Sequence, residues 1–184
     1  MKKDFPKRFE YIAETILRNE IKKEQFESFI EKAFENDNNS KNITAVGFIS
    51  SAISKYLKNK IGIDIGESVT VGLEARLLRR LPAEATGLKA KRHALKGEAL
   101  SKSDADYILK CLLYGDVYFQ KNNKNLLYLY KVGEDRYLQI AIRPSFIHSK
   151  KMASIQIPSV RNIQFIDEKQ KISKYNSSNL ERIK

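Results

Sequence analysis

The spacing of apolar residues along this chain changes once, near Gly115, and that change limits the fold to a few architectures. Before it the spacing is helical. Phe9, Ile12, Ala13, Ile16 and Leu17 recur at intervals of three and four, and Phe26, Phe29, Ile30, Ala33 and Phe34 repeat the pattern. Glu and Lys fill the opposite faces, and Pro6 stands where a helix can start. Two helices are expected, over about residues 6–20 and 23–35. The polar stretch Asn36 to Asn42 reads as a linker. A third helix is expected from Ile43 to Lys60, with Val46, Ile49, Ile53, Tyr56 and Leu57 on one face. Ser68 to Val71 has strand-forming residues, and Leu73 to Leu81 reads as a short helix stopped by Pro82. Ser101 and Asp104 form a capping pattern ahead of a helix over Ala105 to Leu113.

After Gly115 the period is two. Val117–Gln120, Leu126–Tyr130 and Tyr137–Ile142 read as strands joined by short polar turns, Lys121–Lys124 and Gly133–Asp135. Ser154–Ile157 and Asn162–Ile166 supply one or two more. The expected fold is α+β: helices packed on one face of a four- to five-stranded antiparallel sheet, with an N-terminal helical arm. The expected divisions are a helical arm over 1–36, an α+β domain over 43–166 and a flexible polar tail over 167–184.

Charge is distributed unevenly along the 184 residues, whose net charge is +12. Residues 79–161 hold 16 Lys and Arg against 7 Asp and Glu, whereas residues 1–78 hold 13 against 12. The middle and late part of the chain should therefore create a positive field, which suits a polyanionic partner. Nucleic acid is the first candidate, an acidic protein the second. No apolar run approaches the roughly 20 residues that span a bilayer, so no membrane partner is expected and a cytoplasmic setting is. The single cysteine, Cys111, excludes an internal disulfide and sits at core spacing with Ile108 and Leu112. With two histidines and one cysteine, no metal or other cofactor is expected.

The densest chemistry lies in Leu88 to Gly97, where Lys89, Lys91, Arg92, His93 and Lys96 fall within ten residues on an expected short helix. Cations to hold a phosphate and one group that titrates near neutrality are what metal-free phosphodiester chemistry requires. His93 beside Arg92 can be a general base on a ribose hydroxyl, or a surface histidine that only binds phosphate. The expected sheet adds Tyr118, Tyr128, Tyr130, Arg136, Tyr137, Arg143, Ser159 and Arg161, with acids only at Glu134 and Asp135. Stacking rings and cations on a sheet suit single-stranded RNA, with Lys89, Lys91, Tyr118, Tyr130, Arg136 and Arg161 as contacts. The same residues read alternatively as half-buried cross-strand pairs and solvated charges. His148 is expected in a loop, without a functional role.

From about Leu73 to Asn162, the order of a basic helix, a capped helix and successive strands resembles one known domain type. It is similar to the C-terminal nuclease-like domain of phage Mu F-like head-morphogenesis proteins. That domain belongs to the barnase/EndoU/colicin E5-D/RelE-like ribonuclease superfamily. The strands that carry the resemblance are Val117-Tyr-Phe, Leu126–Tyr130, Tyr137–Arg143 and Ser154–Ser159, the last ending in serine. The resemblance implies catalytic positions at Arg92, His93 and Lys96 on the helix, Arg143 on the third strand and Ser159 on the last. It implies a metal-independent endoribonuclease or ribonuclease-like toxin domain of phage or mobile-element origin. In that mechanism a 2′-hydroxyl attacks the adjacent phosphate. RNA would be the substrate, and an acidic immunity or antitoxin protein or a phage head component a partner. A homodimer through the N-terminal arm fits the same picture. Two other readings stand beside it: a nucleic-acid-binding module without catalysis, and a phage structural, head-associated protein that keeps the fold.

Overall fold

The structure is a computed structural model that describes residues 7–35, 42–66, 69–79, 100–150 and 153–184. The first two helices lie where the apolar spacing puts them. Helix α1 is Lys7–Arg18 and helix α2 is Lys23–Glu35. Asn19 closes α1 in the left-handed conformation (φ 52°), which asparagine tolerates better than most residues. In α2, Phe26, Ile30 and Ala33 are buried at spacings of four and three, so one stripe of the helix enters the core.

The segment Ile43 to Lys60 departs from expectation. Its first half is strand β1 (Ile43–Ile49), which pairs antiparallel with β2 (Val69–Glu74). Ser50 then caps helix α3 (Ser51–Tyr56), which widens into a π-helical turn over Leu57–Ile61. Gly62, at φ 80°, ends that turn in a conformation that favours glycine. The reason for the difference is burial. Ile43, Ala45, Val46 and Ile49 are all buried, so both faces of β1 are apolar and helical spacing cannot distinguish it from a helix. The β-branched Ile43, Thr44, Val46 and Ile49 then favour the pleated form.

Helix α4 (Ala75–Arg79) follows β2 directly. A 3₁₀ turn (Lys102–Asp104) with a reciprocal Ser101–Asp104 capping box leads into helix α5 (Asp106–Tyr114), as the sequence pattern requires. Then come β3 (Asp116–Gln120), β4 (Asn125–Gly133), β5 (Arg136–Lys150) and β6 (Ala153–Ile166). Ser154–Ile157 and Asn162–Ile166 are one long strand. Register shifts between Ala141 and Ile142 and between Arg143 and Phe146 bend the β5–β6 ladder.

The polar tail carries regular structure where fraying was expected. Asp167 and Gln170 cap helix α6 (Glu168–Tyr175) reciprocally, and β7 (Leu180–Arg182) pairs with β3. The tail is anchored by side chains that a polar composition does not reveal. Tyr175 stacks edge-on against Tyr118 at 4.6 Å and donates a hydrogen bond to Gln139 at 2.9 Å.

The architecture is α+β. Among the described residues the sheet has seven strands in the order β1-β2-β6-β5-β4-β3-β7, rather than four or five. It is mixed rather than wholly antiparallel, because β2 and β6 run parallel with Gly72 beside Ser159. Helices also cover both faces instead of one. On the first face α2, α3, α4 and α5 enclose the main core, with Phe26, Ile53, Leu78, Ile108, Leu138 and Phe165 among its buried residues. On the second face α1 packs Ile12 against Ile43, Ala45 and Ile157 at one end. Tyr175 of α6 packs beside Leu129, Tyr137 and Ile166 at the other. Gly72 is needed for this second layer, because a Cβ there would lie 2.7 Å from Ile157 Cδ1 and 2.8 Å from Ile43 Cδ1. Among the described residues no helix is long and apolar enough to cross a membrane.

Candidate functional site

The second face carries a strip of charged and polar side chains between α1 and α6, and strand alternation explains how it is assembled. In β2, Val71 and Leu73 enter the main core, so Gly72 and Glu74 point the other way. On β6, Ser159 lies beside Gly72 on one side and opposite Arg143 of β5 on the other. Ile142 faces the main core, which turns Arg143 to the second face, where it is exposed. Beyond the bulge, Phe146 pairs with Ile157 and His148 with Ile155. Three strands thus bring Glu74, His148 and Ser159 together.

The three form one hydrogen-bonded chain. His148 Nδ1 lies 2.8 Å from Glu74 Oε1, and His148 Nε2 meets Ser159 Oγ. All three are buried: Glu74 is 8% exposed, His148 7% and Ser159 0%. Arg76, at the start of α4, forms an ion pair with the same Glu74 carboxylate. Arg161 stacks its guanidinium on Phe146 at 4.1 Å, and Phe146 meets the His148 ring edge-on at 4.9 Å.

Burial by itself pushes the Glu74 carboxyl up. The hydrogen bond from His148 and the charges of Arg76, His148 and Arg161 outweigh it and hold the group below its ordinary value. Glu74 is therefore ionised near neutral pH, and an ionised carboxylate only accepts hydrogen bonds. The strip has a cationic surface, from Arg76, Arg143 and Arg161, over a buried floor able to hold and pass a proton.

Carboxylate, imidazole and hydroxyl in a row are the order of a hydrolytic triad. Ser159, however, lies inside a strand flanked by strands on both sides, whereas an acyl-transfer serine sits on a sharp turn beside free backbone N–H donors. The arginines give the strip a different aptitude, the binding of phosphate and of negative charge that develops on it.

Of the residues that the sequence singled out, Arg143, Ser159 and Arg161 come together here. Lys89, Lys91, Arg92, His93 and Lys96 lie outside the described residues. Tyr118 is on the second face but three strands from Ser159, about 14 Å across the sheet, and its ring is engaged by Tyr175. Tyr130 packs against the main core, and Arg136 lies 3.7 Å from the Phe165 ring, so both belong to the first face. Cys111 is buried in the core, and that burial pushes its thiol well above the ordinary value.

Two residues of the site were not legible from spacing. His148 was expected in a loop but lies in β5, which continues well past the expected end at Ile142. The available signal was that Phe146 and His148 keep the alternation of the strand. Glu74 follows four apolar or small residues in β2, and an acid at the end of a buried strand was the sign that it needed a partner. Comparison of the chain with family models, with curated proteins and with solved structures gives no match.

Proposed function

We propose that the strip on the second sheet face is the reaction centre of a metal-independent endoribonuclease. A 2′-hydroxyl would attack the adjacent phosphate, forming the O2′–P bond and breaking the P–O5′ bond. The products are a cyclic phosphate and a free 5′-hydroxyl. Arg143 and Arg76 hold the phosphate, and Arg161 adds positive charge beside it. The proton of the attacking hydroxyl passes to the Ser159 hydroxyl as Ser159 gives its own to His148 Nε2. The leaving 5′-oxygen needs a proton in return, and His93 is the chain's other histidine. Carrying this reading is the contact of His148 with Ser159 on a sheet face that also holds Arg76, Arg143 and Arg161.

A second reading is favoured by burial. His148 and Ser159 lie beneath the surface while Arg143 is exposed, which suits a module that binds RNA through its cations without cleaving it. Incubating the protein with RNA in excess chelator from about pH 5 to 8 separates the two, beside His148→Ala, His93→Ala and Arg143→Ala. The ribonuclease reading expects cleavage by the parent chain and a rate about 100-fold lower in His148→Ala with RNA affinity retained. Salt-dependent binding with no cleavage by any form supports the binder and overturns the enzyme.

A further inference from the structure

We infer that Glu74 is a positioning residue that holds the His148 ring with its proton on Nδ1 and confines proton exchange to Nε2. The tautomer follows from the geometry together with a Glu74 carboxylate kept ionised by its Arg76 ion pair, while its use in catalysis rests on the ribonuclease reading above. A buried carboxylate at the end of an uncharged strand costs stability unless its partners are fixed. Here the partners face it from three elements: His148 from β5, Arg76 from α4 and Arg161 from β6. The carboxylate has no proton to give. At 2.8 Å the shared hydrogen must therefore belong to Nδ1, whether the ring is neutral or charged. A neutral ring then has its lone pair on Nε2, the nitrogen that meets Ser159 Oγ, so every proton gained or lost passes through that side of the ring. An imidazole without such a partner distributes its proton over both nitrogens, and half of its orientations place the lone pair on the wrong side. Glu74 also binds Arg76, so one carboxylate sets the orientation of the proton carrier and of a phosphate-binding guanidinium.

Nitrogen-15 spectra of the histidine-labelled full chain test this, with His93→Ala used to assign the two ring systems. The expected result is a proton on Nδ1 of His148 in every form of the ring, with Nε2 bare wherever the ring is neutral. Glu74→Ala should move the proton to Nε2 or to a mixture, Arg76→Ala should leave it in place, and the isosteric Glu74→Gln serves should Glu74→Ala fail to fold. In RNA cleavage, Glu74→Ala should lower kcat about 100-fold, whereas Arg76→Ala should raise KM with a smaller change in kcat. A wild-type His148 protonated on Nε2 with a bare Nδ1 overturns the inference, as does a tautomer indifferent to Glu74→Ala. The expected tautomer in a chain that cleaves no RNA upholds the positioning and overturns the ribonuclease reading instead.

Discussion

Leu138 and Gln139 are neighbours in β5, both buried, and they face opposite sides of one sheet. Leu138 enters an apolar core enclosed by four helices, while Gln139 accepts a hydrogen bond from Tyr175 on a face with polar and charged residues at its centre. The contrast runs along β2 and β6 as well, where Val71, Leu73 and Val160 on the core side alternate with Glu74 and Ser159 on the other. One set of strands builds an apolar core on one face and a buried polar network on the other. The first face depends on volume and packing, whereas the centre of the second depends on partnered polar groups.

The largest test of that contrast is Leu138→Ala. It should cost about 3 kcal/mol in urea unfolding, through lost apolar burial and the cavity left behind, with RNA binding unchanged per folded molecule. An equal loss of binding would mean that the faces are not independent. Glu74→Ala should come next, at just under about 3 kcal/mol, because it leaves His148 and Arg76 without their shared anion. A negligible cost would show that the buried network adds nothing to the fold.

Acid should distinguish the faces without any loss of packing. The fold holds Glu74 below its ordinary value of 4.5, so its contribution is complete above that value and is lost as pH falls through the lower folded value. Acid unfolding of the wild type and of Glu74→Gln should converge at low pH and diverge toward neutrality, while Leu138→Ala shifts the whole curve in parallel. Parallel curves for Glu74→Gln would remove the linkage. The smallest expected effect on stability is Arg143→Ala. This exposed residue should change unfolding by less than about 0.5 kcal/mol, yet weaken RNA binding and reduce its salt slope by about one. A stability loss without an affinity change would make Arg143 a packing residue.

The main core was largely legible in the sequence, because Phe26, Ile30 and Ala33, then Ile108 and Leu112, follow a helical period that only a buried stripe requires. The hairpins from Val117 to Ile142 were legible for the corresponding reason, with period two between polar turns. Arg143, Ser159 and Arg161 were named from residue type and order, and they do share a strip. Glu74 and His148 were not, because a lone acid or histidine has no periodicity, and neither neighbour in sequence is its partner.

The sequence by itself determined the helices α1, α2 and α5, the capping of α5 by Ser101 and Asp104, and the antiparallel order of β3, β4 and β5. These features follow from interactions within a few residues, through caps, turns and apolar spacing. Tertiary structure alone decided that Ile43–Ile49 is a strand, that β2 runs parallel to β6 and that the polar tail adds α6 and β7. It also decided that Glu74, His148 and Ser159 form one hydrogen-bonded chain. Each of those outcomes depends on partners distant along the chain, whose burial and hydrogen bonding select among locally allowed forms once the sheet has closed around them.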